Sequence, residues 1–293
     1  MQRWIVGSRV LIDGRVASSS DRVRAGMRIE VRPGPPATTQ ALPDAGVNFR
    51  ELYIDEHLVV IDKPPGLVVH PSRGHETGTL VNGLLARGYM ESWTESDDED
   101  LVFARPGVVH RLDKGTSGVM VVARTGEARE RLKALFAEHR IVREYVAIAT
   151  GRVASCTFST LHGRHLVDRL RFSSRVRSGK SAITHVDALE PIGAVATFVR
   201  CRLETGRTHQ IRVHLADSGH AVFGDPLYGK TPKKAGLREI WQTLGRQALH
   251  AARLGFEHPI TGSYMEWITE PSADFLQTLR ALRYFEEGSD SAS

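Results

Sequence analysis

Between Val108 and Ala123 the chain reads VVHRLDKGTSGVMVVA, and its centre, His110-Arg111-Leu112-Asp113, sets one carboxylate between two cations, Arg111 and Lys114. A glycine-containing turn, Gly115 to Gly118, follows. Then comes the apolar run Val119 to Ala123, which reads as a buried strand. A carboxylate on a short turn that feeds a core strand is well placed for chemistry, because loops held by a scaffold carry most sites. Neighbouring cations favour its charged form, and a charged carboxylate is a nucleophile or a base rather than a proton donor. Spacing alone leaves a second reading open, in which Asp113 is a turn residue paired with Arg111. To act on a nucleotide, the carboxylate needs the base out of its stack and an aromatic ring to hold it. Tyr145 is the candidate for that ring, although a tyrosine in a half-buried strand also serves as core.

Other chemical templates fail. No GxGxxG follows a strand, so dinucleotide binding has no support, and Lys114-Gly115-Thr116 lacks the upstream glycine of a phosphate loop. Ser117 lacks the GxSxG elbow. The 13 histidines contain no HExxH, and His209 with His214 at i, i+5 is poor ligand geometry, so no metal site and no cofactor are expected. The acidic stretch from Met90 to Asp100 lacks the glycine and terminal glutamate of a calcium loop and reads as a solvated loop.

Charge points elsewhere. The net charge is +5, which favours a polyanionic partner. A basic stretch opens with Arg164, Arg169 and Arg171 and runs to Lys180, interrupted by Asp168; it is the strongest phosphate-binding signal, with a solvated face as the alternative. Hydrophobic content of 41% is ordinary for a globular chain, and no run of 18 apolar residues or signal-type start is present. Cys156 and Cys201 match no ligand spacing. The expectation is a cytoplasmic, reduced protein, without membrane contact and monomeric.

These residues must be carried by elements. Val10 to Ala17 around Asp13-Gly14 predicts a type I′ hairpin, Arg28 to Arg32 a strand, and Trp4 to Val6 the end of a helix. The Pro- and Gly-rich stretch from Pro33 reads as a linker. Leu58 to Ile61 and Ala196 to Glu204 read as strands, Thr79 to Arg87 as a helix, and Arg140 to Ile148 alternates with Arg143 and Tyr145 on one face. Thr125 is placed to cap a helix to about His139, Thr208 a short helix ending at Gly219, and Ser272 a last helix through Leu282. Leu237 to Leu254 reads mostly helical.

The ordered blocks resemble the RluA-type pseudouridine synthases, in the branch that modifies large-subunit ribosomal RNA. The resemblance spans about residues 49 to 272. It rests on His110-Arg111-Leu112-Asp113 with Thr116-Ser117-Gly118, on Arg143-Glu144-Tyr145, on Gly206-Arg207-Thr208-His209-Gln210-Ile211-Arg212-Val213-His214, and on Gly224-Asp225-Pro226-Leu227-Tyr228-Gly229. Lys63-Pro64-Pro65-Gly66 and His70-Pro71 fit the opening block. The resemblance implies that Asp113 is the catalytic aspartate, that Tyr145 stacks on the target uracil, that Arg212 pairs with the aspartate, and that Arg111 fills the place of the flipped nucleotide. Arg207 and His209 lie in the same block and are expected, with Arg164, Arg169 and Arg171, to contact substrate. The implied reaction breaks the C1′–N1 bond of uridine and forms C1′–C5, without cofactor or metal. Asp113 would start it by attacking C1′, by adding to C6, or by taking a proton from C2′.

The expected fold is α+β, a mixed, largely antiparallel central sheet with flanking helices. Residues 1–32 resemble the second half of a small ribosomal-type RNA-binding module. No basic leading helix precedes Trp4, so a partial module is expected. A linker at 33–48, a catalytic domain at 49–285 and a disordered tail at 286–293 complete the expected organisation. The expected partner is ribosomal RNA, with transfer RNA as the other RNA class. Two functions from other classes compete: an RNA binder that has lost catalysis, against which the retained Asp113, Tyr145 and Arg212 speak, and a hydrolase that would release free uracil.

Overall fold

The computed structural model of the chain describes residue 5 and residues 7–32, 41–71, 75, 77–90 and 107–290. The chain divides into a small N-terminal unit and a large one. The small unit is a three-stranded sheet of β1 (Val10–Ile12), β2 (Arg15–Val16) and β3 (Ile29–Val31) in the order β2-β1-β3. Asp13 and Gly14 have φ of 49° and 82°, the two positive values that a type I′ turn requires. The Asp13 carboxylate accepts from the Arg28 amide at 2.8 Å and so ties the approach to β3 to that turn. Val10, Ile12 and Ala17, with Ile5 against them, form a core of the modest size that so short a segment allows. Trp4 and Val6, residues 33–40 of the expected linker and the acidic residues 91–100 lie outside the described residues.

In the large unit the elements run β4 (Arg50–Ile54), β5 (Leu58–Lys63), α1 (Leu80–Ala86), β6 (Ser117–Ala123), α2 (Gly126–Ala137), β7 (Val142–Thr150), β8 (Cys156–Arg164), β9 (Phe172–Ser173), β10 (Lys180–Ile192), β11 (Ala196–Leu203), α3 (Gln210–Asp217), α4 (Ala235–Leu244), β12 (Leu249–Glu257), β13 (Tyr264–Ile268) and α5 (Ala273–Asp290). Ten strands form one sheet in the order β4-β5-β6-β12-β7-β11-β10-β8-β9, with β13 also on β12. Every neighbour is antiparallel except β6 and β12, so the sheet is mixed and largely antiparallel, as expected. The exception matters. A parallel pair places the chain segments that enter its two strands side by side. Here those segments are the Asp113 turn and residues 245–248.

Local chemistry explains most elements. β6 is buried at every position and rich in valine, as an inner strand should be. Thr125 caps α2 by accepting from the Ala128 amide, and Thr79 with Asn82 forms a capping box at α1. One side of the sheet packs Ile148, Val199 and Phe223 with Trp241 of α4 and with Phe275 and Leu279 of α5.

Four expectations need correction. Leu237 to Leu254 is not one helix: α4 ends at Gly245, whose φ of 62° stops it, and Leu249 onward is β12. That strand is buried on both faces, so its apolar residues do not alternate, and a pattern of that kind reads equally as helix. Thr208 does not cap α3; the N-cap is His209, in the left-handed conformation at φ 60°, and its side chain turns away to the site instead of to the helix. The large unit begins before residue 49, because the Asn82 side-chain amide donates to the Leu42 carbonyl at 2.7 Å and the Asn82 backbone carbonyl accepts from the Asp44 amide at 3.0 Å. Finally, α5 runs to Asp290, so residues 286–290 are helix rather than tail.

Candidate active site

Asp113 sits in the turn that delivers the chain into β6. Its carbonyl accepts from the Thr116 amide at 3.0 Å. Gly118 follows at φ 115°, and a Cβ there would meet the Ala251 carbonyl oxygen of β12 at 2.2 Å. Glycine is therefore required, both for the backbone conformation and for the close approach of β12. Segment 245–248 underpins the same turn. Arg246 donates to the Gly115 carbonyl at 2.8 Å while it pairs with Asp274, and Gln247 donates to Thr116 Oγ1 at 3.1 Å. From the other side Lys63, fully buried, donates to the carbonyls of Pro64 and Leu67 at 2.9 Å and of Lys114 at 3.3 Å. Burial pulls its ammonium down to about 7, and the charge of Asp113 opposes that pull.

The carboxylate faces helix α3. Arg212 Nη1 donates to Asp113 Oδ2 at 2.8 Å. The same guanidinium is gripped from behind by Asp225, through Nε at 2.7 Å and Nη2 at 2.9 Å. Asp225 is fully buried and also accepts from the amides of Leu227 and Tyr228. Burial works against the Arg212 charge, but the Asp225 hydrogen bonds and the charge of Asp113 outweigh it and push the guanidinium above its ordinary range. The reading of Asp113 as a turn residue paired with Arg111 thus fails: its partner is Arg212, 99 residues away. Among the described residues nothing hydrogen-bonds Asp113 Oδ1; the nearest ion-pair partner is His209 Nε2 at 3.7 Å. His209 Nδ1 meets the Tyr228 hydroxyl at 2.9 Å, and burial keeps the imidazole pKa below its usual value.

Two cavities of more than 600 Å3 meet at Asp113. The first, of about 620 Å3, runs past Tyr145, Arg143, Phe136, His110 and Arg207. Tyr145 projects from β7 on the same face as Arg143, as the alternation predicted. Burial pushes its phenol up to about 12, so the ring stays neutral. His110 lies on Phe136, with centroids 4.7 Å apart. Burial, with Arg143 nearby, takes His110 down to about 3, which suits Nε2 as acceptor of the Val121 amide at 3.1 Å. Arg111, exposed at the rim, reaches His70 Nε2 at 3.1 Å. Arg207 is tethered through Nε to the Ser181 carbonyl at 3.0 Å.

Seven of the nine predicted site residues are connected to this place. Asp113, Tyr145, Arg111, Arg207 and His209 line its walls, and Arg212 grips its carboxylate. Arg171 lies 5.2 Å over the ring of Tyr228, the residue that holds His209. Arg164, over Phe172 at 4.7 Å and bonded to the Arg169 carbonyl, and Arg169 itself stand on the β8–β9 turn instead. Asp225, Arg246, Gln247 and Lys63 received no role from sequence reasoning. The Gly-Asp-Pro turn at 224–226 could have flagged Asp225 as a carboxylate that bonds amides two and three residues on. Arg246 and Gln247 were hidden inside the expected helix.

A carboxylate held by one oxygen, facing a cavity with a neutral aromatic wall and a cationic rim, suits attack on a flipped nucleotide. Comparison with known proteins agrees. The RNA pseudouridylate synthase family model matches residues 57–217. The chain belongs to the RNA pseudouridine synthases of the RluA type. The synthase is 41% identical over 289 residues to ribosomal large subunit pseudouridine synthase D of Xanthomonas campestris, covering 97% of this chain and 84% of that one. It is 41% identical over 290 residues to the protein of the same name from Pseudomonas aeruginosa, covering 97% and 87%. Among solved structures, human RNA pseudouridylate synthase domain containing 1 superposes with a TM-score of 0.58 at 25% identity, over 82% of this chain and 97% of that one. Among the described residues no group of three or more His, Cys, Asp or Glu could hold a metal ion, and no helix is long and apolar enough to cross a membrane.

Proposed function

We propose that this pseudouridine synthase acts on large-subunit ribosomal RNA in the cytoplasm, as the names of its relatives suggest for the RNA, and that Asp113 is its catalytic residue. The observation that carries the assignment is the one-sided grip on Asp113. Arg212 holds Oδ2, Oδ1 has no hydrogen bond among the described residues, and the residue lines the cavity. Attack on C1′, addition to C6 and removal of the C2′ proton all start from an oxygen lone pair in that position. Tyr145 stacks on the uracil, whose escape from the RNA helix Arg111 stabilises by filling the gap. Arg207 and His209 line the entry, and Arg164, Arg169 and Arg171 meet backbone phosphates beyond it. As the base turns, C1′–N1 breaks, C1′–C5 forms, and the hydrogen at C5 is lost to water while N1 gains one.

RNA carrying tritium at uridine C5 tests this. Wild type should release label to water without releasing free uracil, and Asp113→Asn should release none while folding to the wild-type circular-dichroism spectrum. Wild-type activity in the variant would remove Asp113 from the mechanism; free uracil would make the enzyme a hydrolase. Mapping pseudouridines in ribosomal RNA from cells with and without the gene tests the substrate: large-subunit sites should disappear, and loss confined to transfer RNA would refute the choice.

A further inference from the structure

A second cavity, of about 690 Å3, opens on the other side of Asp113, and the reaction described above leaves it unused. Arg111, Asp113 and His209 line both cavities and form the divide between them. The far cavity is as large as the one that receives the uridine. Its apolar wall residues include Pro65, Val68, Leu227 and Leu244, and exposed Lys114 and Arg111 supply cations, while Arg246 of the same lining is buried and paired with Asp274. Asp113 is its sole carboxylate among the described residues, and that charge is already met by Arg212. Apolar walls beside exposed cations suit a base with its phosphate, because a base packs on an apolar surface and a cation holds the phosphate without reading sequence.

We propose that this cavity receives a nucleotide adjacent to the target uridine, so that the enzyme takes two neighbouring bases out of the stack, one on each side of Asp113. The inference rests on the reading of the first cavity as the uridine site. RNA is continuous, and the two cavities share a wall. A backbone that crosses this wall with the target on one side therefore brings the next residue to the other. Lys114, exposed beside the divide, is placed to meet the phosphate between them. Lys63 and the Arg246–Gln247 pair then serve a double purpose: the segments they lock in place are both the support of Asp113 and the floor of the second site.

Two changes, one in the protein and one in the RNA, test this together. Leu227, half-buried in the cavity wall, is replaced by Trp to fill the space. Separately, RNA substrates are made with an abasic residue immediately 5′ or immediately 3′ of the tritium-labelled uridine. Losing one stacked base costs about tenfold in affinity. We expect Leu227→Trp to raise KM about tenfold on intact RNA with kcat held, one of the two abasic RNAs to do the same to wild type, and the two changes together to cost no more than either alone. The abasic RNA that behaves this way identifies the side of the neighbour. Independent, multiplying effects, or no effect of either abasic residue, would overturn the second site. Should Leu227→Trp melt early, Lys114→Ala gives the same test through the rim, with the KM penalty again absent on the sensitive abasic RNA. If wild type releases no label even from intact RNA, the uridine-site reading itself falls, a result distinct from both.

Discussion

The Asp113 cluster and the β8–β9 turn both carry arginines, and they use them in opposite ways. Arg212 is buried and donates one hydrogen bond to Asp113 and two to Asp225, which leaves it no freedom. Arg169 is exposed on a turn whose neighbours Leu166, Val167 and Leu170 are 93%, 87% and 74% exposed, with no core beneath them. Buried charge is costly unless fully paired, and Arg212 is accordingly held by a carboxylate on either side. Exposed charge costs little and fixes little, which is enough for a phosphate backbone that presents the same group at every step. Under the proposed function, precision is concentrated at the Asp113 cluster and tolerance at the β8–β9 turn.

The contrast can be broken most directly at Asp225. Asp225→Asn keeps the shape but leaves Arg212 with one carboxylate; it should lower kcat on the order of a hundredfold and cost about 3 kcal/mol of stability. Tritium release and urea unfolding measure the two losses. Wild-type kcat would mean that Arg212 needs no support from behind. Next in size, Gly118→Ala should destabilise the protein by about 3 kcal/mol, since it forces a side chain into the Ala251 carbonyl at a φ that glycine alone tolerates. An unchanged melting temperature would show that β6 and β12 can separate.

Lys63 gives a smaller and pH-dependent effect. Its folded pKa of about 7 lies below the ordinary 10.5. Between those values the unfolded chain binds more protons, so this residue's contribution to stability rises with pH from about 7 toward 10.5. Wild type should gain roughly 1 kcal/mol per pH unit relative to Lys63→Met between pH 7.5 and 9. Parallel stability curves for the two proteins would mean that Lys63 titrates alike folded and unfolded. Smallest of all on the fold is Arg169→Ala with Arg171→Ala. Melting should be unchanged, while RNA binding weakens and the log–log salt slope falls by about 1 to 2. An unaltered slope would take the β8–β9 turn off the RNA.

The parts that local sequence determines came through in the structure. Asp13-Gly14 makes its hairpin because two positive φ values in succession need those residues. Thr125 caps its helix, and Arg143 and Tyr145 share a face because strand alternation leaves them no choice. The order of the blocks around Asp113, Tyr145 and Arg212 was sufficient to indicate the family and the chemistry. What only the tertiary structure decided are contacts between distant segments. Arg212 answers to Asp113 across 99 residues. Arg246 and Gln247 reach the Asp113 turn across 131 residues, because β6 and β12 run parallel. Nothing in the composition of residues 245–257 announces that pairing. A strand buried on both faces carries no periodic signature, and which strand it joins is set by the packing of the whole sheet.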